Sequence, residues 1–261
     1  MQTPPAEPNT ATAAGVRISR GVALAIPPGG LVLHLEGDRK GTLEVKALHL
    51  RLDLMLEWIE IAVEHLHACR MAYDEAVRLC RLGEAADAEL GREFKLSMQA
   101  MVAAATFFEA LYAAVREVVP PNRLVQQRSG RSRTNRAAVV AEQLKQAFGL
   151  KTQGTKNLGS VLAEIYRYRD ETVHPSSSFA PPAVHPVLGL FVERRIAMFT
   201  YPNAQLIVRA ALAYAMILPK ICKKQGPKET QQLADSLLSN CEPLFNAWEQ
   251  RYGSLLDEPS A

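Results

Sequence analysis

The run Arg169-Asp170-Glu171-Thr172-Val173-His174-Pro175 places a guanidinium and an imidazole five positions apart. An imidazole titrates near neutrality and can take or give a proton. A guanidinium is always charged and planar, and its N–H donors form a fork that matches a phosphate. Together these groups can cleave a phosphodiester through a neighbouring 2′-hydroxyl. One imidazole acts as base, a second protonates the departing 5′-oxygen, and the Arg stabilises the phosphorane. That chemistry needs no metal, and no cofactor is expected. Two copies of His174 from two subunits could be that base and acid, and a monomer would then lack half the site. Asp170 is placed to orient the imidazole or to hold the Arg.

On a straight helix, residues i and i+5 point about 140° apart, so a helix carrying both groups must end or bend between them. Pro175 supplies a cause, because it disfavours the α conformation at His174. With twenty Arg and six His in 261 residues, chance places an Arg five positions before a His roughly 0.5 times. Asp or Asn directly after the Arg lowers that to about 0.03. The competing reading of the same residues is a surface Arg-Asp-Glu run at a helix end. A protonated His near the last carbonyls would then add about 0.3–1 kcal/mol through the helix dipole.

Other constellations point elsewhere. Glu64-x-x-His67 and Glu171-x-x-His174 have the spacing of carboxylate-bridged metal sites in helical bundles, for which Glu109 and Glu142 are the candidate single ligands. Glu171-x-x-His174 straddles the expected helix end, which spoils the shared face that such a pair requires. Glu109, alone on an otherwise apolar face, could line a site or pair with an Arg. Cys69, Cys80, Cys222 and Cys241 form no Cys-x-x-Cys pair and are too few for a disulfide framework. Reduced thiols in a cytoplasmic protein are expected. There is no Walker-type phosphate loop and no Gly-x-Ser-x-Gly.

The net charge of +3 does not mark a nucleic-acid binder, but its distribution is uneven. Nine Lys or Arg against Glu117 and Glu142 lie between Arg116 and Lys156, leaving the rest of the chain net acidic. Arg128, Arg131, Arg133 and Arg136, with Arg167, are the candidate RNA-binding residues, since Arg suits phosphate. No aromatic residue interleaves with the loop charges, so base stacking is not implied.

These groups must be positioned by helices. Leu48, Leu52, Met55, Ile59, Ala62, Leu66, Cys69, Tyr73, Ala76 and Cys80 step by three and four, as do Phe94, Met98, Met101, Ala105, Phe108, Tyr112, Val115 and Val119. Two long helices broken at Gly83 and stopped by Pro120-Pro121 are predicted as an antiparallel pair. A mobile basic loop, Pro121 to Asn135, leads to a third helix at about Arg136 to Phe148, closed by Gly149. A fourth, about Lys156 to Arg169, turns Leu158, Val161, Leu162, Ile165 and Tyr168 to a core. Two more, about Asn203 to Leu218 and Lys228 to Tyr252, complete an all-α bundle of about six helices. One or two short β-hairpins accompany it: one in Val16 to Leu35, turning at Pro27-Pro28-Gly29-Gly30, the other in Val187 to Thr200, turning at Glu193-Arg194. The most apolar stretches, Ser97 to Val119 and Gln205 to Leu218, contain Glu109 and Arg209 and read as core helices, so no membrane partner is expected.

Arg-Asp-x-x-x-His-Pro after two long helices and a shorter one resembles the HEPN (higher eukaryotes and prokaryotes nucleotide-binding) all-helical domains. Their signature is an Arg, a polar residue, and a His separated from the Arg by four to six residues. Arg169, Asp170 and His174 fill those places, and Arg167 satisfies the longer spacing. The resemblance covers roughly Leu43 to Tyr252. The Pro-, Ala- and Thr-rich start reads as a disordered tail at 1–15 and the alternating run as a β-hairpin extension at 16–41, while the resemblance implies a HEPN-like helical domain at 42–253, followed by a tail at 254–261. The resemblance further implies a metal-independent endoribonuclease in which two motifs face each other across the cleft of a homodimer, with RNA as substrate. Several such proteins are toxins or effectors of phage defence, so an antitoxin or regulatory partner is a further expectation. Ser176 stands where the subgroup paired with nucleotidyltransferase antitoxins usually carries a Tyr. The alternative is a non-catalytic module that binds RNA, nucleotide or a partner protein.

Overall fold

The computed structural model describes residues 22–26, 28–35, 41–47, 49–52, 54–125, 135–173, 181–186 and 188–256. The predicted tail at 1–15 lies outside them, as do residues 257–261 of the predicted tail at 254–261, most of the basic loop and residues 174–180. The chain divides into two compact units, Met1–Asp53 and Leu54–Ala261.

The first unit contains β1 (Val22–Ala25), β2 (Leu31–Leu35), β3 (Gly41–Val45) and β4 (His49–Leu52). The predicted hairpin between the first two runs does not form. β1 pairs antiparallel with β4, Val22 opposite Leu52, while β2 pairs with β3, Leu31 opposite Val45. Gly29 takes the positive φ that the Pro-Pro-Gly-Gly signal implies, 76°. The chain nevertheless does not reverse there, because the Gly30 carbonyl accepts N–H bonds from Lys46 (2.8 Å) and Ala47 (3.2 Å) on the opposite strand. One pair nests inside the other, and the reversal comes between Leu35 and Gly41.

The second unit is an all-α bundle built on α1 (Leu54–Leu82) and α2 (Asp87–Val118). The first helix starts after β4 rather than at Leu48. Between the two, Gly83 at φ 72° closes α1, with Gly83 N–H to Cys80 (3.1 Å) and Glu84 N–H to Leu79 (3.0 Å) satisfying its last carbonyls. A single 3-10 turn, Pro121–Arg123, follows α2. Helix α3 (Arg136–Phe148) has the predicted limits for identifiable reasons. The Asn135 side chain caps its start by accepting the Ala137 N–H, and Gly149 at φ 73° ends it. Helix α4 (Thr152–Val173) is longer at both ends than the apolar spacing implied.

The second predicted hairpin is displaced. β5 (Ala183–Val184) pairs with β6 (Phe191–Val192), and Gly189, at φ 65°, sits in the reversal. The expected turn residues instead open α5 (Arg194–Met198), because the Glu193 carboxylate accepts the Arg195 N–H at 2.9 Å and acts as its cap. Helices α6 (Tyr201–Gln225) and α7 (Lys228–Tyr252) complete the bundle.

Helix α2 touches α1, α3, α4, α6 and α7. Its Ala100, Ala103, Ala104 and Ala105 are buried and small, so neighbouring backbones can approach closely, while Phe107, Phe108 and Leu111 fill the space beyond. By length and composition α2 and α6 could each cross a membrane. In this bundle they pack on one another, with Phe108 and Tyr214 in contact at 6.4 Å between ring centroids.

Candidate functional site

The buried stripe of α4 runs Leu158, Leu162, Ile165, steps of four and three, and the next place on that stripe is Arg169. This spacing turns Arg169 inward, toward α2, and leaves its side chain 28% exposed. Arg167, two residues earlier, lies on another face. It is exposed, forks onto Glu164 of its own helix, and rests over the Tyr168 ring at 4.5 Å. Of the two arginines that satisfy the motif spacing, Arg169 is the one brought into a cluster.

That cluster joins three helices. The Arg169 Nε and Nη2 both donate to Asp170 Oδ1, at 3.0 and 2.6 Å. Its Nη1 stands 3.6 Å from Glu109 Oε1 of α2, and the guanidinium lies 4.8 Å from the Tyr166 ring centroid. Its remaining N–H groups make no hydrogen bond among the described residues. Arg136, the first residue of α3, takes the same Glu109 carboxylate as a fork, Nε to Oε1 at 3.0 Å and Nη2 to Oε2. Arg136 also stacks over Tyr112, 4.3 Å from the ring centroid. Glu109, Tyr112 and Arg116 share one face of α2 by their i, i+3, i+7 spacing.

Burial by itself raises the Glu109 carboxyl. Hydrogen bonding and charge from Arg136, with the Tyr166 hydroxyl and Arg169 behind them, outweigh it and hold the group below the ordinary carboxylate value. Glu109 is therefore an anion at neutral pH. The Tyr166 hydroxyl is buried beside it without a hydrogen bond of good geometry. Burial first, then the Glu109 charge, push that phenol up, so it stays protonated and cannot serve as a base.

Next to the cluster is an open cleft of about 390 Å³, lined by Glu109, Tyr112, Arg116, Glu117, Leu124 and Arg136. The buried Gln143 of α3 fixes one rim by accepting the Val125 N–H (2.8 Å) and donating to the Arg123 carbonyl (3.4 Å). A larger cleft, about 460 Å³, lies between α6 and α7. Of its two lysines, Lys220 and Lys223, the second pairs with Asp235 at 2.9 Å, and no His or Arg is among its described lining residues.

His174 lies outside the described residues, as do Pro175, Arg128, Arg131 and Arg133. Arg169 and Asp170 are together, and α4 runs to Val173, the residue before His174. Arg136 is in the same cluster but bound to Glu109, and Arg167 is apart from it. Glu109 belongs to the centre of this constellation. Its sequence signal was a lone acid on an apolar helix face, and Tyr166 and Tyr112 carried none. Of the metal reading, His174 lies outside the described residues, and among those described no group of three or more His, Cys, Asp or Glu stands together. Its two candidate carboxylates are held by cations, Glu109 by Arg136 and Glu142 by Lys145 at 3.1 Å.

No family model matches this chain, and no curated protein or solved structure resembles it significantly.

Proposed function

We propose that this chain is a metal-independent endoribonuclease of HEPN type. In this reading it works as a homodimer through the end of α4, as a toxin or phage-defence effector in the cytoplasm, under an antitoxin or regulatory partner. The observation that carries the reading is the placement of Arg169. A buried stripe ends in a guanidinium that is braced by Asp170, Glu109 and the Tyr166 face, keeps N–H donors unused among the described residues, and lies four residues before the end of a helix whose next residue is His174. A braced, always-charged fork is the group that transition-state charge on a phosphorane requires. His174 supplies general acid–base chemistry, one copy from each protomer. Asp170 holds the guanidinium. Because α4 stays helical through Val173, the i, i+5 geometry requires His174 to leave the helix axis, a departure for which Pro175 gives the reason. The second reading, a non-catalytic module, uses the same cationic surface for binding.

The test is cleavage of a mixed RNA substrate in EDTA by the parent, His174→Ala and Arg169→Ala. Each variant should lose at least about a hundredfold in rate while keeping its helical circular dichroism. Variants that cleave as fast as the parent refute the nuclease reading, and a parent that binds RNA without cleaving it selects the binding module.

A further inference from the structure

The cleft beside Arg169 has its own cation. Arg116 lies two helical turns beyond Glu109 on the same face of α2, about 10 Å along the axis, and it lines the cleft with Arg136. Arg116 is exposed, and among the described residues no carboxylate comes within ion-pair distance of it. Its guanidinium is 5.5 Å from the Tyr112 ring centroid, so the same ring carries Arg116 and Arg136. The contrast with its neighbours is one of charge. Arg136, Arg167 and Arg169 each meet a carboxylate, while Arg116 is steadied by an aromatic ring that leaves its charge uncompensated. Glu117 on the cleft wall is the acid nearest in sequence.

We propose that Arg116 forms a phosphate subsite for a single RNA strand, taking the phosphate of a nucleotide that flanks the one at Arg169. The cleft is continuous with the Arg169 cluster through Glu109 and Arg136, which belong to both. Arg136 already spends its Nε and Nη2 donors on Glu109, whereas Arg116 meets no carboxylate among the described residues. Among the described residues the cleft is open and its one aromatic ring is already covered by cations, which leaves no ring for base stacking. Recognition there is of the backbone rather than of sequence. A cation in the last turn of α2 also complements the helix dipole, but that role leaves the salt dependence of RNA binding untouched. The subsite rests on reading the Arg169 cluster as an RNA site, so its test is made independent of cleavage.

The probe is a fluorescein-labelled, mixed-sequence 2′-O-methyl oligoribonucleotide, which lacks the attacking hydroxyl and cannot be cut. Binding to the full chain is followed by anisotropy across a salt series for the parent, Arg116→Gln, Arg116→Lys and, as a control away from the cleft, Arg81→Gln. For single strands each phosphate contact contributes about 0.7 to the slope of log affinity against log salt. Arg116→Gln should flatten the slope by about 0.7 and weaken binding about three- to tenfold at low salt. Arg116→Lys should keep the slope, and Arg81→Gln should match the parent. A parental slope and affinity in Arg116→Gln overturns the subsite even if the parent cleaves RNA. A parent that cleaves nothing, yet loses slope in Arg116→Gln, removes the nuclease reading and leaves the subsite standing. A parent that binds no single strand overturns the subsite outright.

Discussion

Glu93 offers the sharpest quantitative test of how this bundle is held. It sits on α2, 2% exposed, and accepts the N–H of Tyr201, the first residue of α6, at 2.7 Å. Thr200, in the cap position, makes no side-chain capping bond, so a carboxylate from another helix does that work. Burial pushes the Glu93 carboxyl up from 4.5 to about 7, and the Tyr201 N–H offsets only part of the rise. Because the folded value exceeds the unfolded one, the folded protein binds more protons than the unfolded chain between those two pH values. This contribution to stability is full below pH 4.5 and lost as pH rises through 7. At about 1.4 kcal/mol per unit, the loss reaches about 3 kcal/mol. Glu93→Gln keeps an oxygen acceptor for the Tyr201 N–H and removes the charge. Urea unfolding of both proteins at pH 5, 6, 7 and 8, followed through the buried Trp248, isolates the term as a difference, since the other titrating groups are common to both. The two should be of similar stability at pH 5, and the variant should lead by about 3 kcal/mol at pH 8. Parallel curves, or a variant that is weaker at pH 8, refute the reasoning.

Replacing Glu109 by Gln leaves the guanidinia of Arg136 and Arg169, 32% and 28% exposed, without their shared carboxylate. It should cost about 1–3 kcal/mol in urea unfolding at pH 7. Since the folded Glu109 value is depressed, that gap is present above pH 4.5 and closes as pH falls below it. A gap that stays constant down to pH 3 would place the loss in packing instead. Gly226→Ala introduces a Cβ that would lie 2.5 Å from Cys222 Sγ and 2.7 Å from its Cα. Backbone must move, and a loss of about 1–3 kcal/mol is expected by the same assay; an unchanged midpoint contradicts the closeness of the α6–α7 corner.

Where local chemistry decides structure, the sequence is readable. Helix α3 shows this best, with Asn135 and Gly149 marking both ends. The choice of Arg169 over Arg167 is also present in the sequence, because Leu158, Leu162, Ile165 and Arg169 keep one rhythm and Arg167 breaks it. Strand pairing is different. The four strands of the first unit are short and extended alike, so alternation cannot say which pairs with which, and the turn at 28–30 does not pair β1 with β2. Residues 194–198 were hidden by an apolar run that reads as strand until the Glu193 cap is recognised. Glu109 was visible as an oddity, but its partners were not. Arg136 lies 27 residues away, and their meeting depends on how α2, α3 and α4 pack.

The shared carboxylate explains why three charged side chains gather here without cancelling the site they surround. Glu109 is neutralised chiefly by the Arg136 fork, in which both oxygens are used. Its contact with Arg169, at 3.6 Å, is longer than a hydrogen bond. An anion that draws Arg169 outward therefore breaks a weak contact and strands no buried charge, because Arg136 remains on Glu109. Were Arg136 absent, the same movement would leave a half-buried carboxylate unpaired, and the cost of that would oppose binding. Arg136 thus acts on Arg169 through Glu109: it keeps Glu109 paired if Arg169 moves, which is what the proposed phosphate contact at Arg169 requires.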